Sequence, residues 1–384
     1  MTALGDLLLE EIRRSGPITF ADYMARALYD PQHGYYSSGA ERTGWRGDFV
    51  TSAEVDPAFG ELWARFFEQA WEACGRPPRF DLVEVGAGEG GSARAVLSTV
   101  AGAFREALFY RLVEPIAALR ARQRALLRGF ERVGWSHALA DVPVAAFGCV
   151  FANEVLDNLP VHLVTLRDGC LQELLVATRG ERLVLVEDAP RDPGPLEAHL
   201  ARTAVKLEED ARIEVCLQVH PLVRAAAACL RRGAVVLVDY GMTAGELAQR
   251  GGTLARYSGP RADDLVLEDP GAADVTAHVN WTWVRLALKD AGLRPWGPET
   301  QRATLRRLGL GELDGRLRAV HRDALRAGDG AAAVRALSRR HGLAALADPG
   351  GLGGLGVMTG CASIELPGSP RAHRDRRAAG PCCG

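Results

Sequence analysis

The stretch that decides the fold is Phe80-Asp81-Leu82-Val83-Glu84-Val85-Gly86-Ala87-Gly88-Glu89-Gly90-Gly91. A short apolar run closes on glycines, and a stretch of helical spacing follows from Ser92 to Val100, so the segment reads as strand, tight turn, helix. Such a turn sets backbone N–H groups and a helix N-terminus beside a ligand, and side chains larger than hydrogen at Gly86, Gly88 and Gly90 would block its approach. The spacing is GxGxG with an acid two residues ahead. It differs from the dinucleotide GxGxxG and lacks the Lys-Ser/Thr ending of a P-loop. Carboxylates at Glu84 and Glu89 repel a pyrophosphate but suit an ammonium. S-adenosylmethionine, with its ammonium and sulfonium, fits that charge pattern, and the alternative is a glycine turn that serves only strand–helix packing.

Working outward, Ala107–Val113, Phe147–Ala152 and Ala234–Val238 are further apolar runs separated by helix-length segments. This is the pattern of a parallel sheet covered by helices on both faces. A last strand is expected over Gly360–Leu366. Between Phe147–Ala152 and Ala234–Val238, three β-rich pieces within His162–Ala189 are joined by turns at Arg167-Asp168-Gly169 and Thr178-Arg179-Gly180-Glu181, so they pair antiparallel. Helices are expected after them over Glu197–Glu209 and Pro221–Arg231. Near the N-terminus, Leu4–Leu28 reads as two helices around Gly16-Pro17, and Ala58–Cys74 as a helix with one broad aromatic face. The expected organisation is a helical N-terminal extension with a cofactor-covering loop (1–75), an α/β domain (76–367) with an insertion at about 160–230, and a disordered tail (368–384).

More acids sharpen the ligand reading. Glu114 ends Leu112-Val113-Glu114, where a carboxylate in such folds accepts from both ribose hydroxyls. Asp141, in Leu139-Ala140-Asp141-Val142, is expected to accept from the adenine amino group. Asn153 and Glu154, at the end of the Phe147–Ala152 strand, face the crevice between cofactor and substrate, with Asp157 just beyond. The plainer reading of these last residues is a turn and helix cap.

Composition sets the outer bounds. The 384 residues are 47% apolar and 24% charged, with 46 basic against 48 acidic side chains, so a large core is available and no global field points to nucleic acid. Only Lys206 and Lys289 are lysines, so arginine-rich stretches are weak evidence for phosphate binding here. The eight cysteines contain no CxxC pair, which makes neither a disulfide framework nor a metal site an expectation. Met1–Glu11 lacks both a basic leader and an Arg-rich transit character, and no apolar run reaches the ~18 residues a membrane helix needs. The expected location is cytoplasmic, in a bacterium.

Several longer stretches then carry a family resemblance: Gly16–Tyr36, Gly47–Ala64, the Glu84–Gly90 turn, Val113–Leu127, Asn153–His162, Val238–Gly241, Gly252–Tyr257 and Pro270–Val284. The chain resembles the MidA-like class I methyltransferases, over roughly Ile12 to Leu310. It departs from them at Ala87 and Glu89 in the turn, at Ala53, and at Val155-Leu156. The resemblance implies a class I, seven-stranded Rossmann-like sheet, S-adenosyl-L-methionine as cofactor, and a protein substrate methylated on arginine, as in mitochondrial members that act as complex I assembly factors. It implies that Asp48, Phe49, Thr51, Ser52 and Glu54 fold over the cofactor, that Asp239-Tyr240-Gly241 ends the fifth strand, and that Asp274–Val279 is a further site-lining segment. Glu154, with Asp157, is the expected catalytic pair, and Glu84, Gly86, Gly88, Gly90, Glu114, Asp141, Asn153, Thr51 and Ser52 the expected cofactor contacts. A non-catalytic assembly factor that keeps the fold and a small-molecule methyltransferase are the rival readings, with a nicotinamide oxidoreductase third.

Overall fold

The computed structural model describes residues 2–38, 51–259 and 261–367. Asp48 and Phe49, and the tail with Cys382 and Cys383, lie outside the described residues. The centre is a seven-stranded sheet. Its strands are β1 (Phe80–Val85), β2 (Leu108–Val113), β3 (Val133–Ser136), β4 (Ala145–Asn153), β5 (Leu230–Asp239), β6 (Arg294–Thr300) and β7 (Gly356–Ala362). They lie in the order β6-β7-β5-β4-β1-β2-β3. Strands β1 to β5 pair in parallel, and β7 runs antiparallel between β5 and β6. This is the class I methyltransferase arrangement expected from the resemblance.

Three expectations shift. The last strand is Gly356–Ala362 and not Gly360–Leu366, and the helices of the insertion are Pro193–Thr203 and Val219–Ala228. Strands β3 and β6 carry no apolar run: β3 contains one buried residue, Ser136, and β6 contains Pro295, Gly297 and Pro298. Both are edge strands, where a missing N–H or an exposed side chain is tolerated.

The N-terminal helices are α1 (Ala3–Ser15) and α2 (Phe20–Tyr29). Thr2 and Thr19 cap them by accepting from the Gly5 and Asp22 N–H groups. They do not pack on the central sheet. Leu8, Phe20, Tyr23 and Met24 share a core with Leu163, Leu174 and Val176 of a second, antiparallel sheet built from His162–Arg167, Cys170–Arg179, Arg182–Asp188 and Arg212–Val215. Ile18-Thr19 adds to this sheet by pairing with Leu175-Val176. Helix α2 therefore rests on a fixed platform, and Tyr29 at its end and Tyr36 just beyond it line one cavity with residues at the C-terminal ends of β1, β2 and β4.

Helix α3 (Ala58–Ala73) covers the other face of the sheet with the aromatic surface its spacing predicts. Trp63 is fully buried, with Phe66, Phe67 and Phe151 of β4 at ring-centroid distances of 5.3, 6.1 and 4.8 Å. Replacing it removes the centre of this cluster. Trp63→Ala is expected to destabilise the protein by about 3–5 kcal/mol, read as a lower denaturation midpoint in urea; a loss below about 1 kcal/mol would show that the cluster repacks freely.

Candidate functional site

Parallel strands place their carboxyl ends along one edge, and here that edge is acidic. Register sets Val85 opposite both Val113 and Ala152, so the residues that follow, Gly86, Glu114 and Asn153, form one row across three strands. Gly86 takes φ +65°, and a Cβ there would meet Val155 Cγ2 at 2.7 Å. Gly88 takes φ +52°, and a Cβ there would meet nothing, because this turn fronts an open cavity. Gln123 clamps the turn by donating from Nε2 to the Gly88 carbonyl at 2.8 Å.

The cavity, about 310 Å³, is lined by Glu84, Gly86, Gly88, Glu114, Asn153 and Glu154 from the sheet edge, and by Tyr29, Tyr36, Thr51, Ala53 and Glu54 from the N-terminal arm. Its carboxylates are held by donors. Glu84 accepts from the Tyr110 hydroxyl at 2.8 Å, Glu114 from the Ile116 N–H at 2.9 Å, and Glu154 from the Ser52 N–H at 2.9 Å and Asn153 Nδ2 at 3.0 Å. Burial pushes Glu84, Glu114 and Glu154 each up to about 7, against the hydrogen bonds that pull them down. Asn153 Oδ1 is buried in this wall without a hydrogen-bond partner among the described residues, an acceptor that awaits a donor.

A second, smaller chamber of about 120 Å³ shares Tyr36, Glu154 and Asn158 with the first. Its remaining wall is Asp157, Tyr240, Tyr257, Asp274, Thr276, Ala277 and His278. The Tyr36 hydroxyl lies 3.0 Å from Asn158 Oδ1 and 3.2 Å from Asp274 Oδ2, two acceptors that share its one proton, and its ring stacks on Tyr29 with centroids 5.7 Å apart. Asp157 Oδ1 is buried without a partner among the described residues. Burial, reinforced by the charges of Asp239, Asp274 and Glu154, holds the Asp157 carboxyl well above the usual range.

Of the residues expected from the sequence, Glu84, Gly86, Gly88, Glu114, Asn153, Thr51 and Glu154 come together around the first cavity, and Asp157 lines the second. Three do not join the wall of the first cavity. Asp141 is exposed, because its carboxylate folds back to accept the Ala138 N–H of its own turn at 3.0 Å. Gly90 takes φ +87° as the N-cap of the helix Gly91–Thr99 and faces Gln123 and Leu126, so it serves packing. Ser52 is fully buried between Glu154 and Gln301, holding the catalytic candidate from behind. Sequence reasoning gave no role to Tyr29, Tyr36, Asn158 or Tyr257. All four fall inside the stretches that carry the resemblance, which was the available signal.

The residues fit S-adenosylmethionine. The cavity combines open space at Gly88, an orphaned acceptor on Asn153 and a wall of carboxylates toward which two positive centres are drawn. Comparison with known proteins agrees. Residues 62–299 match a family of S-adenosyl-L-methionine-dependent methyltransferases. A protein of Burkholderia thailandensis, solved bound to S-adenosyl-homocysteine, superposes with a TM-score of 0.84 at 30% identity, covering 97% of this chain and 96% of that one. The mitochondrial protein arginine methyltransferase NDUFAF7 of Danio rerio is 31% identical over 337 residues, 79% of this chain and 76% of its own. The Drosophila melanogaster homolog is 29% identical over 344 residues, 80% of this chain and 75% of its own. These relatives are named as mitochondrial proteins, which overturns the cytoplasmic expectation. Among the described residues no helix is long and apolar enough to cross a membrane. The fold, the cavity and these matches together establish that the chain belongs to the S-adenosyl-L-methionine-dependent methyltransferase family.

Proposed function

We propose that the enzyme methylates an arginine side chain of a protein, with the acceptor entering the second chamber and meeting the cofactor at Glu154. The observation that carries this reading is the shared wall: Glu154 borders both cavities, and the second is lined by carboxylates and tyrosines. Such a lining suits a planar cation, whose charge the acids neutralise and whose face the rings accept. The arginine methyltransferases among the relatives support the same acceptor.

In this reading Glu114 holds the ribose, Asn153 Oδ1 and Glu84 lie toward the amino acid end, and the Gly86–Gly88 turn lets the backbone come close. Thr51 and Tyr36 close the site from the arm and keep water out. The cofactor supplies an electrophilic methyl group on a sulfonium. Glu154 and Asp157 hold the guanidinium by hydrogen bonds, which localises its charge and frees one nitrogen for in-line attack. That nitrogen must lose a proton, and a carboxylate pushed up to about 7 is a base of suitable strength at neutral pH.

Glu114→Ala is expected to weaken S-adenosylmethionine binding by about 1.5–3 kcal/mol in isothermal titration with the fold intact, the scale for hydrogen bonds to a charged group. Unchanged affinity would move the ribose elsewhere. Glu154→Gln keeps size and one acceptor oxygen, so cofactor titration should stay near normal while methyl transfer to acceptors in a cell lysate, followed with labelled cofactor, falls at least ~10²-fold. Parallel loss of binding would instead make Glu154 part of the cofactor pocket. The pH profile carries an independent sign. Glu154 must be ionised to hold the cation, and its titration is raised to about 7, so kcat/KM should climb through pH 6 to 8 and level above about 8. A flat profile across that window removes Glu154 from the reaction.

A further inference from the structure

Asp239 closes β5 and lines neither cavity, yet its side chain holds the loop that forms the wall between them. It is fully buried. One oxygen, Oδ2, accepts from three consecutive backbone N–H groups: Val155 at 3.1 Å, Leu156 at 2.8 Å and Asp157 at 3.2 Å. The other, Oδ1, accepts from the Tyr240 N–H at 2.8 Å. Just before this loop, the Glu154 N–H donates to the Val238 carbonyl at 2.8 Å. Glu154 itself takes φ +52°, a left-handed conformation that a residue with a Cβ keeps only when its surroundings impose it. Three amides converging on one carboxylate oxygen form a concave turn whose shape depends on that oxygen.

We propose that Asp239 is a positioning residue for methyl transfer: its carboxylate sets the Glu154–Asp157 turn so that Glu154 faces both cavities and Asp157 faces the acceptor chamber. The proposal rests on the acceptor-site reading above. It assigns Asp239 no contact with cofactor or acceptor, so its contribution lies in geometry. A displacement of about 1 Å at the reacting groups is enough to cost on the order of 10²-fold in rate.

Two variants test it. Asp239→Asn keeps the shape but replaces one oxygen with an amide donor, so either the three loop amides or the Tyr240 N–H face another donor. Asp239→Glu keeps the charge and pushes the loop outward by one methylene. Methyl transfer is followed with labelled S-adenosylmethionine and a cell lysate, whichever residue accepts, and is normalised to cofactor sites counted by titration. Amide exchange is followed at Val155, Leu156 and Asp157. The proposal expects both variants to bind the cofactor within about threefold of the parent, to turn over roughly 10²-fold more slowly per site, and to lose protection at the three amides. A purely structural role predicts fewer competent molecules that each turn over normally, and that result overturns it. Normal turnover in Asp239→Glu alone overturns it in favour of a charge effect, and loss of cofactor binding in both variants overturns it in favour of a framework role. Amino acid analysis of the label tests the arginine acceptor separately, so failure of one reading leaves the other standing.

Discussion

Burying a carboxylate is unfavourable unless donors satisfy it, and the whole site follows from how this fold meets that demand along one sheet edge. Glu84, Glu114 and Asp239 are buried there, with Asp274 buried beside them. Many of the donors that hold them are neutral: the Tyr110 and Tyr36 hydroxyls, the Asn158 amide, the Ile116 N–H on Glu114, and the backbone N–H groups that converge on Asp239. A carboxylate satisfied by dipoles keeps its attraction for cations, whereas one paired with arginine has spent it. The result is a pair of adjoining cavities with an electrostatic preference for positive ligands, and the cofactor of this family is a cation at its sulfur.

The same edge explains why a second sheet is attached. The N-terminal residues that line the cavity are anchored outside the central sheet, because the antiparallel sheet from His162 to Val215 packs against α1 and α2. The arm then carries Tyr29 and Tyr36 onto the cavity, and the short helix Ser52–Val55 donates from Ser52 N–H to Glu154. Ser52 also contacts Gln301, so the turn that supports Glu154 is tied to the C-terminal part of the chain. Excluding water matters because methyl transfer moves positive charge from sulfur to the accepting atom, and dipoles already in place stabilise that shift without reorganising.

What could be read from the sequence was local. The Phe80–Gly91 strand and turn, and an acid at the end of the next strand, are short-range patterns whose chemistry follows from backbone geometry, so Glu84, Gly86, Gly88 and Glu114 meet as their spacing suggests. Asp141 looked equivalent by position. Its short side chain instead reaches its own Ala138 N–H, a local hydrogen bond that spacing does not reveal. Strand β6 was illegible because its prolines and glycine argue against a strand, and only an edge position with a bulge between Trp296 and Glu299 accommodates them. The second chamber was illegible as a unit, since Tyr36, Asp157, Tyr257 and His278 are brought together by tertiary contacts alone.

The central claim is that two cavities meet at one wall, with the reacting sulfur on one side of Glu154 and the acceptor on the other. A crystal structure of the protein with S-adenosylhomocysteine tests it most directly. The account predicts ribose hydroxyls in hydrogen-bond contact with Glu114, adenosine beside the Gly86–Gly88 turn, and the thioether sulfur at the wall formed by Tyr36, Glu154 and Asn158, open toward Asp157. A ligand whose sulfur faces away from Glu154, with the Asp157 chamber closed off from it, would contradict the account.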